Sequence, residues 1–130
     1  MRLVLDTNIL VSALFWDGNE RRVLRMCKDK KHQLILSPQI LDELTEVLKV
    51  KFKVPDDKIK GYTETLILMA EMVYPVGEIH VIREDPDDDI ILETAVVGQA
   101  DMLITGDTHL LKIRNYKGIR IDKSRRLGVS

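Results

Sequence analysis

The sequence predicts an α/β fold with a central, mostly parallel sheet of four to five strands and helices on both its faces. Three observations predict it. Short apolar runs of strand length recur along the chain, at 2–5, 33–36, 79–82, 102–104 and 119–121. Most of them are separated by stretches whose apolar residues repeat every three to four positions, long enough to cross a sheet and return parallel. Two of the runs lead directly into polar clusters containing an acid, Asp6-Thr7-Asn8 and Thr105-Gly106-Asp107. Ligands in parallel sheets gather at such strand ends.

Taken in order, Arg2 to Leu5 is a buried strand, and Asp6-Thr7-Asn8 suits the cap of a helix over Ile9 to Phe15. Asp17-Gly18-Asn19 breaks that helix, and Glu20 to Asp29 resumes helical spacing through Val23, Leu24 and Cys27. Gln33 to Leu36 is the second strand. Ser37-Pro38 then starts a helix with a capping hydroxyl and a proline at the first position, where its missing N–H costs nothing, and the helix runs to about Lys51. Pro55-Asp56-Asp57 opens another, carried by Ile59, Tyr62, Leu66, Met69 and Val73, which ends before Pro75-Val76-Gly77.

Ile79 to Ile82 is a candidate third strand. Asp85 to Asp89 heads an almost wholly apolar helix, Ile90 to Val97, closed by Gly98; a helix apolar nearly all round has to be buried. Met102 to Ile104 is a strand that runs into Thr105-Gly106-Asp107, a short helix follows through Leu111, and Ile119 to Ile121 is a last strand. No repeat, linker or low-complexity stretch interrupts the pattern, so residues 1–130 read as one domain with one core.

Composition narrows the class. Hydrophobic residues make up 45% and charged residues 32%, with 20 Lys and Arg against 21 Asp and Glu, which is a globular profile. A near-neutral sum names no partner, because phosphate is bound by a local basic surface. Cys27 is the only cysteine, which excludes an intramolecular disulfide and a Cys-based zinc site and fits a reduced, cytoplasmic setting. The opening residues are unlike a signal peptide, since Asp6 interrupts their short apolar run, and no stretch approaches transmembrane length.

Four acidic positions stand out. Asp6 and Asp107 each follow a strand, although each is also placed to cap a helix. Glu43 lies on a helix whose apolar stripe is Ile40, Leu41, Leu44, Val47 and Leu48; it is roughly 100° from the stripe's centre, whereas Asp42 and Glu46 are roughly 160° away. Of the three, Glu43 alone borders the buried side, with a lysine ion pair as the plainer role. Asp85-Pro86-Asp87-Asp88-Asp89 puts four acids at the head of an apolar helix, more than compensation of the helix dipole at about 0.3 to 1 kcal/mol each requires.

If Asp6, Glu43, one acid of the run and Asp107 converge, their charges repel. At 4 Å the cost per pair is about 1 kcal/mol in water and about 4 at an effective dielectric of 20. A cation offsets that, and oxygen ligands favour Mg²⁺ or Mn²⁺, while His32, His80 and His109 show no zinc-ligand spacing. His109, two residues after Asp107, is also placed to approach a leaving oxygen, with a surface or packing role as the plainer alternative.

At these residues the sequence resembles the PIN-domain family. Val4-Leu5-Asp6-Thr7-Asn8 looks like the family's opening strand and Asp-Thr-Asn, and Ser37-Pro38 with Glu43 resembles its second acidic element. Asp85-Pro86-Asp87-Asp88, Ala95, Ala100-Asp101 and Leu103-Ile104-Thr105-Gly106-Asp107 match the third and fourth, in the expected order, over residues 1 to about 122. The resemblance implies a three-layer α/β/α sandwich and a Mg²⁺- or Mn²⁺-dependent nuclease site with Asp6, Glu43, Asp88 and Asp107 as catalytic metal ligands. It favours Asp88 over Asp87 and Asp89 by the distance to Ala95, makes Asp85 an accessory acid, and makes Asn8 and Thr105 accessory hydrogen-bonding positions.

It also implies hydrolysis of single-stranded or structured RNA. The same likeness points to the toxin half of a VapC-like toxin–antitoxin pair, with an antitoxin protein as partner and a homodimer or higher oligomer as the assembly. Cations at Lys28, Lys30 and Lys31, at Lys49, Lys51 and Lys53, and at Lys123, Arg125 and Arg126 are candidates for phosphate contact, though helix ends favour cations anyway. Phe15 and Trp16 are placed to stack on a base or to bury a dimer contact, with core packing as the plainer role. A phosphatase or phosphoacceptor domain would want Asp-x-Asp after the first strand or a catalytic lysine after a later one. A non-catalytic PIN module binding RNA or protein is the alternative reading, and it would be expected to have lost some of the four acids.

Overall fold

In the computed structural model, which describes residues 1–81 and 86–128, strand and helix alternate from the start. First come β1 (Arg2–Leu5), α1 (Thr7–Phe15), α2 (Asn19–Lys28), β2 (Gln33–Leu36) and α3 (Pro38–Glu46). A π-helical turn, Val47–Lys51, carries α3 on to the expected end. There follow α4 (Asp56–Met69), β3 (Ala70–Met72), α5 (Pro86–Val97), β4 (Met102–Ile104), α6 (Thr108–Ile113), β5 (Asn115–Tyr116), β6 (Ile119–Asp122) and α7 (Arg125–Gly128). Among the described residues no helix is long and apolar enough to cross a membrane.

The strands lie in the order β3-β2-β1-β4-β6-β5, all parallel except β5, which runs antiparallel to β6. The chain fills one side of β1 with β2 and β3, then the other with β4 and β6. The winding therefore reverses between β1 and β4, and the crevice outside the carboxyl ends at such a reversal is where open α/β sheets bind ligands. Leu3, Val4 and Leu5 are all fully buried, as are Leu34, Ile35 and Leu36. Successive strand residues point to opposite faces, so complete burial along a strand means that both faces of the sheet are covered.

The amino edge is tied separately. The Arg2 guanidinium donates to the Gly98 carbonyl at 2.7 and 3.1 Å and to the Glu71 carboxylate at 2.5 and 3.2 Å, while the Arg2 N–H donates to Asp101 at 2.7 Å. That hydrogen-bonded pairing lowers the pKa of Glu71 and raises that of Arg2. Gly98 permits the close approach of α5 to the sheet, because a Cβ there would lie 2.5 Å from Ile35 Cγ2 and 3.0 Å from the Thr94 carbonyl.

The sheet has one strand more than expected, and one strand is elsewhere. Asn115–Tyr116 forms a hairpin with β6 through Lys117 and Gly118, whose φ angles of 49° and 82° suit a tight two-residue turn. The expected strand at Ile79 to Ile82 is not seen: Ile79 to Val81 form no strand, and Ile82 lies outside the described residues. The strand beside β2 is Ala70–Met72, at the end of the segment expected to be helical through Val73. Its partners are the backbone groups of Leu34 to Leu36, and the Val73 N–H donates to the Leu36 carbonyl at 2.8 Å. Three-to-four spacing through Leu66, Met69 and Val73 cannot reveal that an open sheet edge lies beside the chain.

What replaces the missing strand is an extended strap over α5. The N–H groups of Val76, Gly77 and Ile79 donate to the Glu93 carboxylate at 2.6, 2.8 and 2.8 Å, and the Val81 N–H donates to Asp89 at 2.9 Å. Backbone donors that a neighbouring strand would have taken are thus satisfied by two acids that are themselves buried on α5. Burial alone would push the Glu93 carboxyl up, but the N–H groups of Ile79, Gly77, Val76 and Glu78 outweigh it and hold its pKa below the ordinary value.

Candidate metal centre

Asp6 leaves β1 with its N–H donating to the Ile104 carbonyl at 2.9 Å, which ties the ends of β1 and β4 together. Its own carbonyl accepts from the N–H groups of Ile9 and Leu10, so the backbone begins α1, but its side chain makes no capping hydrogen bond. The carboxylate, 4% exposed, is directed instead to the neighbouring strand end: Oδ2 accepts from the Thr105 hydroxyl at 2.6 Å. Thr105, fully buried, accepts in turn from the Asp107 N–H at 3.0 Å. A relay from the Asp107 backbone through Thr105 to Asp6 therefore fixes the two strand ends in one register, and each donor in it polarises the next.

Asp107 caps α6. Its Oδ1 accepts from the N–H groups of His109 and Leu110 at 2.8 and 3.2 Å, the role that capping chemistry assigns to an aspartate just before a helix. The cap also brings His109 round, with Nδ1 3.8 Å from Asp107 Oδ1. Asp88, in the first turn of α5 and 5% exposed, completes the group. One carboxylate oxygen each of Asp88 and Asp107 and one ring nitrogen of His109 all lie within 4.8 Å of one another.

Of the four acids singled out in the sequence, Asp88 and Asp107 share this group, and Asp6 is joined to Asp107 through Thr105. Glu43, on α3, is not among the three ligand groups that lie within 4.8 Å of one another. It is half-buried while Asp42 and Glu46 are exposed, and it lines a cleft of about 230 Å³ with Gln39, Asp87, Ile90 and Ile91, where α3 packs on α5. The acidic run divides by burial and partner: Asp87 is exposed, Asp89 holds the strap through Val81, and Asp88 faces Asp107 and His109. Asn8 is exposed on the first turn of α1. Asp85 lies outside the described residues.

His109 is the group member that residue spacing did not reveal as a ligand. His32, His80 and His109 show no ligand spacing among themselves, and the partners of His109 are carboxylates. The available signal was its place directly inside the helix that Asp107 caps, where the first turn folds back over the capping residue. Two carboxylates and an imidazole within 4.8 Å suit a divalent cation that accepts both oxygen and nitrogen, with waters filling the remaining positions.

Comparison with known proteins bears on this centre. A family model described as PIN domain matches residues 2–109, which include Asp6, Glu43, Asp88, Asp107 and His109. No curated protein matches the sequence. Among solved structures, a chain in the crystal structure of VapBC2 from Rickettsia felis bound to a DNA fragment from their promoter superposes with a TM-score of 0.66 at 18% identity. The alignment covers 95% of this chain and 98% of that one. A likeness at that identity concerns the fold.

Proposed function

As the chain belongs to the PIN-domain family, we propose that it is a Mg²⁺- or Mn²⁺-dependent endoribonuclease that hydrolyses phosphodiester bonds of single-stranded RNA. The observation that carries this reading is the meeting of Asp88, Asp107 and His109 beside the Asp6–Thr105 hydrogen bond, at the sheet's point of reversal. Asp6, Asp88 and Asp107, with His109, are the residues that would hold the cation. When bound, such a cation supplies Lewis acidity toward a phosphate oxygen and toward water.

The chain's own contribution is placement. Thr105 fixes the Asp6 carboxylate against the end of β4, and the cap of α6 fixes Asp107, so both keep their positions without the ion. Burial of Asp88 raises the electrostatic cost of leaving it beside Asp107, which strengthens the preference for a cation between them. Glu43, on the wall of the adjoining cleft, is assigned to orient the attacking water and accept its proton. The fold shared with a VapBC2 chain supports a place as the toxin of a toxin–antitoxin pair, with an antitoxin protein as partner, self-association, and action in the cytoplasm.

A panel of mixed-sequence single-stranded RNAs, incubated with Mg²⁺, with Mn²⁺ and with EDTA, tests the reading. Wild type cleaves with either ion and not in EDTA, while Asp6→Asn and Asp88→Asn lose at least about a hundredfold in rate. Cleavage in EDTA, or full activity in both variants, overturns the mechanism. RNA binding without cleavage under any ion would make the chain a non-catalytic module.

A further inference from the structure

Two helices, α1 and α3 with its π-helical turn, end together at an aromatic surface. α1 begins directly after Asp6 and ends at Phe15, roughly 13 Å away along its axis. α3, which carries Glu43, packs beside it and continues through its π-helical turn to Phe52. The ring centroids of Phe15 and Phe52 are 5.0 Å apart, and those of Phe15 and Trp16 are 5.6 Å apart. Contrary to the plainer expectation of core packing for Phe15 and Trp16, both are exposed, Trp16 by 59% and Phe15 by 38%, and Phe52 is exposed by 38% as well.

Cations interleave with these rings. Lys51 Nζ lies 5.6 Å from the Phe52 ring centroid, and Lys53 is exposed one residue beyond; neither has an acidic partner among the described residues. Lys49, one turn back, is 3.8 Å from Asp56. A surface made to bury against another protein is enriched in aromatics but depleted in lysine. Rings and free lysines side by side are what single-stranded nucleic acid uses, with bases on the rings and phosphates on the cations.

We infer that Phe15, Trp16 and Phe52 form a stacking platform for the bases of a single-stranded RNA whose scissile phosphate lies at the Asp88–Asp107 centre, with Lys51 and Lys53 contacting its backbone. The inference rests on the proposed nuclease function and adds a subsite to it. The platform lies one helix length from Asp6 along α1, so it engages nucleotides flanking the cut and favours unpaired RNA over duplex, whose bases are already stacked on one another.

Trp16 is the only tryptophan in the chain, so its fluorescence reports on this surface alone. Titration of the protein in EDTA with a short mixed-sequence single-stranded RNA is expected to quench that fluorescence to saturation, and the matching duplex to quench it far less. Phe52→Leu keeps an apolar side chain but no ring, and it should weaken RNA binding about tenfold, as should Trp16→Ala followed by a labelled RNA. Both variants should melt at the wild-type temperature, and their loss of cleavage should be larger at low RNA than at saturating RNA. Asp88→Asn should retain the quenching while cleaving nothing. Unchanged fluorescence at saturating RNA, with cleavage on adding Mn²⁺, overturns the platform and leaves the nuclease reading intact. Fluorescence that responds to protein dilution and not to RNA makes the surface a contact between copies and overturns the platform too. Quenching without cleavage under any ion supports the platform and removes the nuclease.

Discussion

Asp6 shows how far a single residue's role can differ from its commonest one. An aspartate between a strand and a helix is a capping residue by default, and Asp6 does start α1 with its backbone. Its carboxylate does something else, reaching across to the Thr105 hydroxyl at 2.6 Å. Asp107, in the same kind of position, does cap its helix, and the cap is what carries His109 toward Asp88. The two aspartates could not be told apart by local sequence, since the distinction depends on Thr105, 99 residues from Asp6. Thr105→Val keeps the shape and removes the hydroxyl that donates to Asp6 and accepts from the Asp107 N–H. We expect a stability loss of about 1–3 kcal/mol in urea denaturation, together with reduced cleavage. Thr105→Ser should recover most of both, and a Thr105→Val protein with wild-type stability would mean that the relay contributes nothing.

At the scale of elements, α5 and its strap behave as one unit. Glu93 has a folded-state pKa below its ordinary value of 4.5, because backbone N–H groups outweigh its burial. A carboxylate with a depressed folded pKa adds stability that is present above the unfolded value and is lost as pH falls through the folded one. Glu93→Gln should therefore melt below wild type at neutral pH, and the gap should narrow as pH falls from about 4.5 downward. Thermal melts at pH 7 and at about pH 3 check this, and a gap of constant size would remove Glu93 from the account. The strap also explains what sequence reading missed. Ile79 and Val81 alternate about His80 as strand residues would, but their donors go to Glu93 and Asp89 rather than to a neighbouring strand. Conversely, Ala70–Met72 continues a helical pattern and becomes a strand because β2 offers it an edge. The elements at the sheet centre were legible because burial on both faces leaves an unbroken apolar run; those at the edges depend on partners distant in sequence.

For the whole molecule, the order β3-β2-β1-β4-β6-β5 decides where chemistry can occur. It places the ends of β1 and β4 side by side, so that Asp6 and Thr105-Gly106-Asp107 share one crevice, with the head of α5 adding Asp88. That much follows from acids at strand ends, which the sequence displays. The family register pointed to Asp88 within the acidic run, and burial and partners now distinguish it from Asp87 and Asp89. The spacing to Asp107 put His109 near the site as a group to approach a leaving oxygen; its meeting with Asp88 follows from how α6 starts, which spacing does not show. On the proposed function, this crevice holds a divalent cation through Asp88, Asp107 and their neighbours. Titration with Mn²⁺, read by the loss of the free-ion paramagnetic resonance signal, tests it most directly. Wild type should bind Mn²⁺ at one strong site, and Asp88→Asn, folded and melting normally in EDTA, should bind it at least about tenfold more weakly. Equal Mn²⁺ binding by the two proteins would contradict the account.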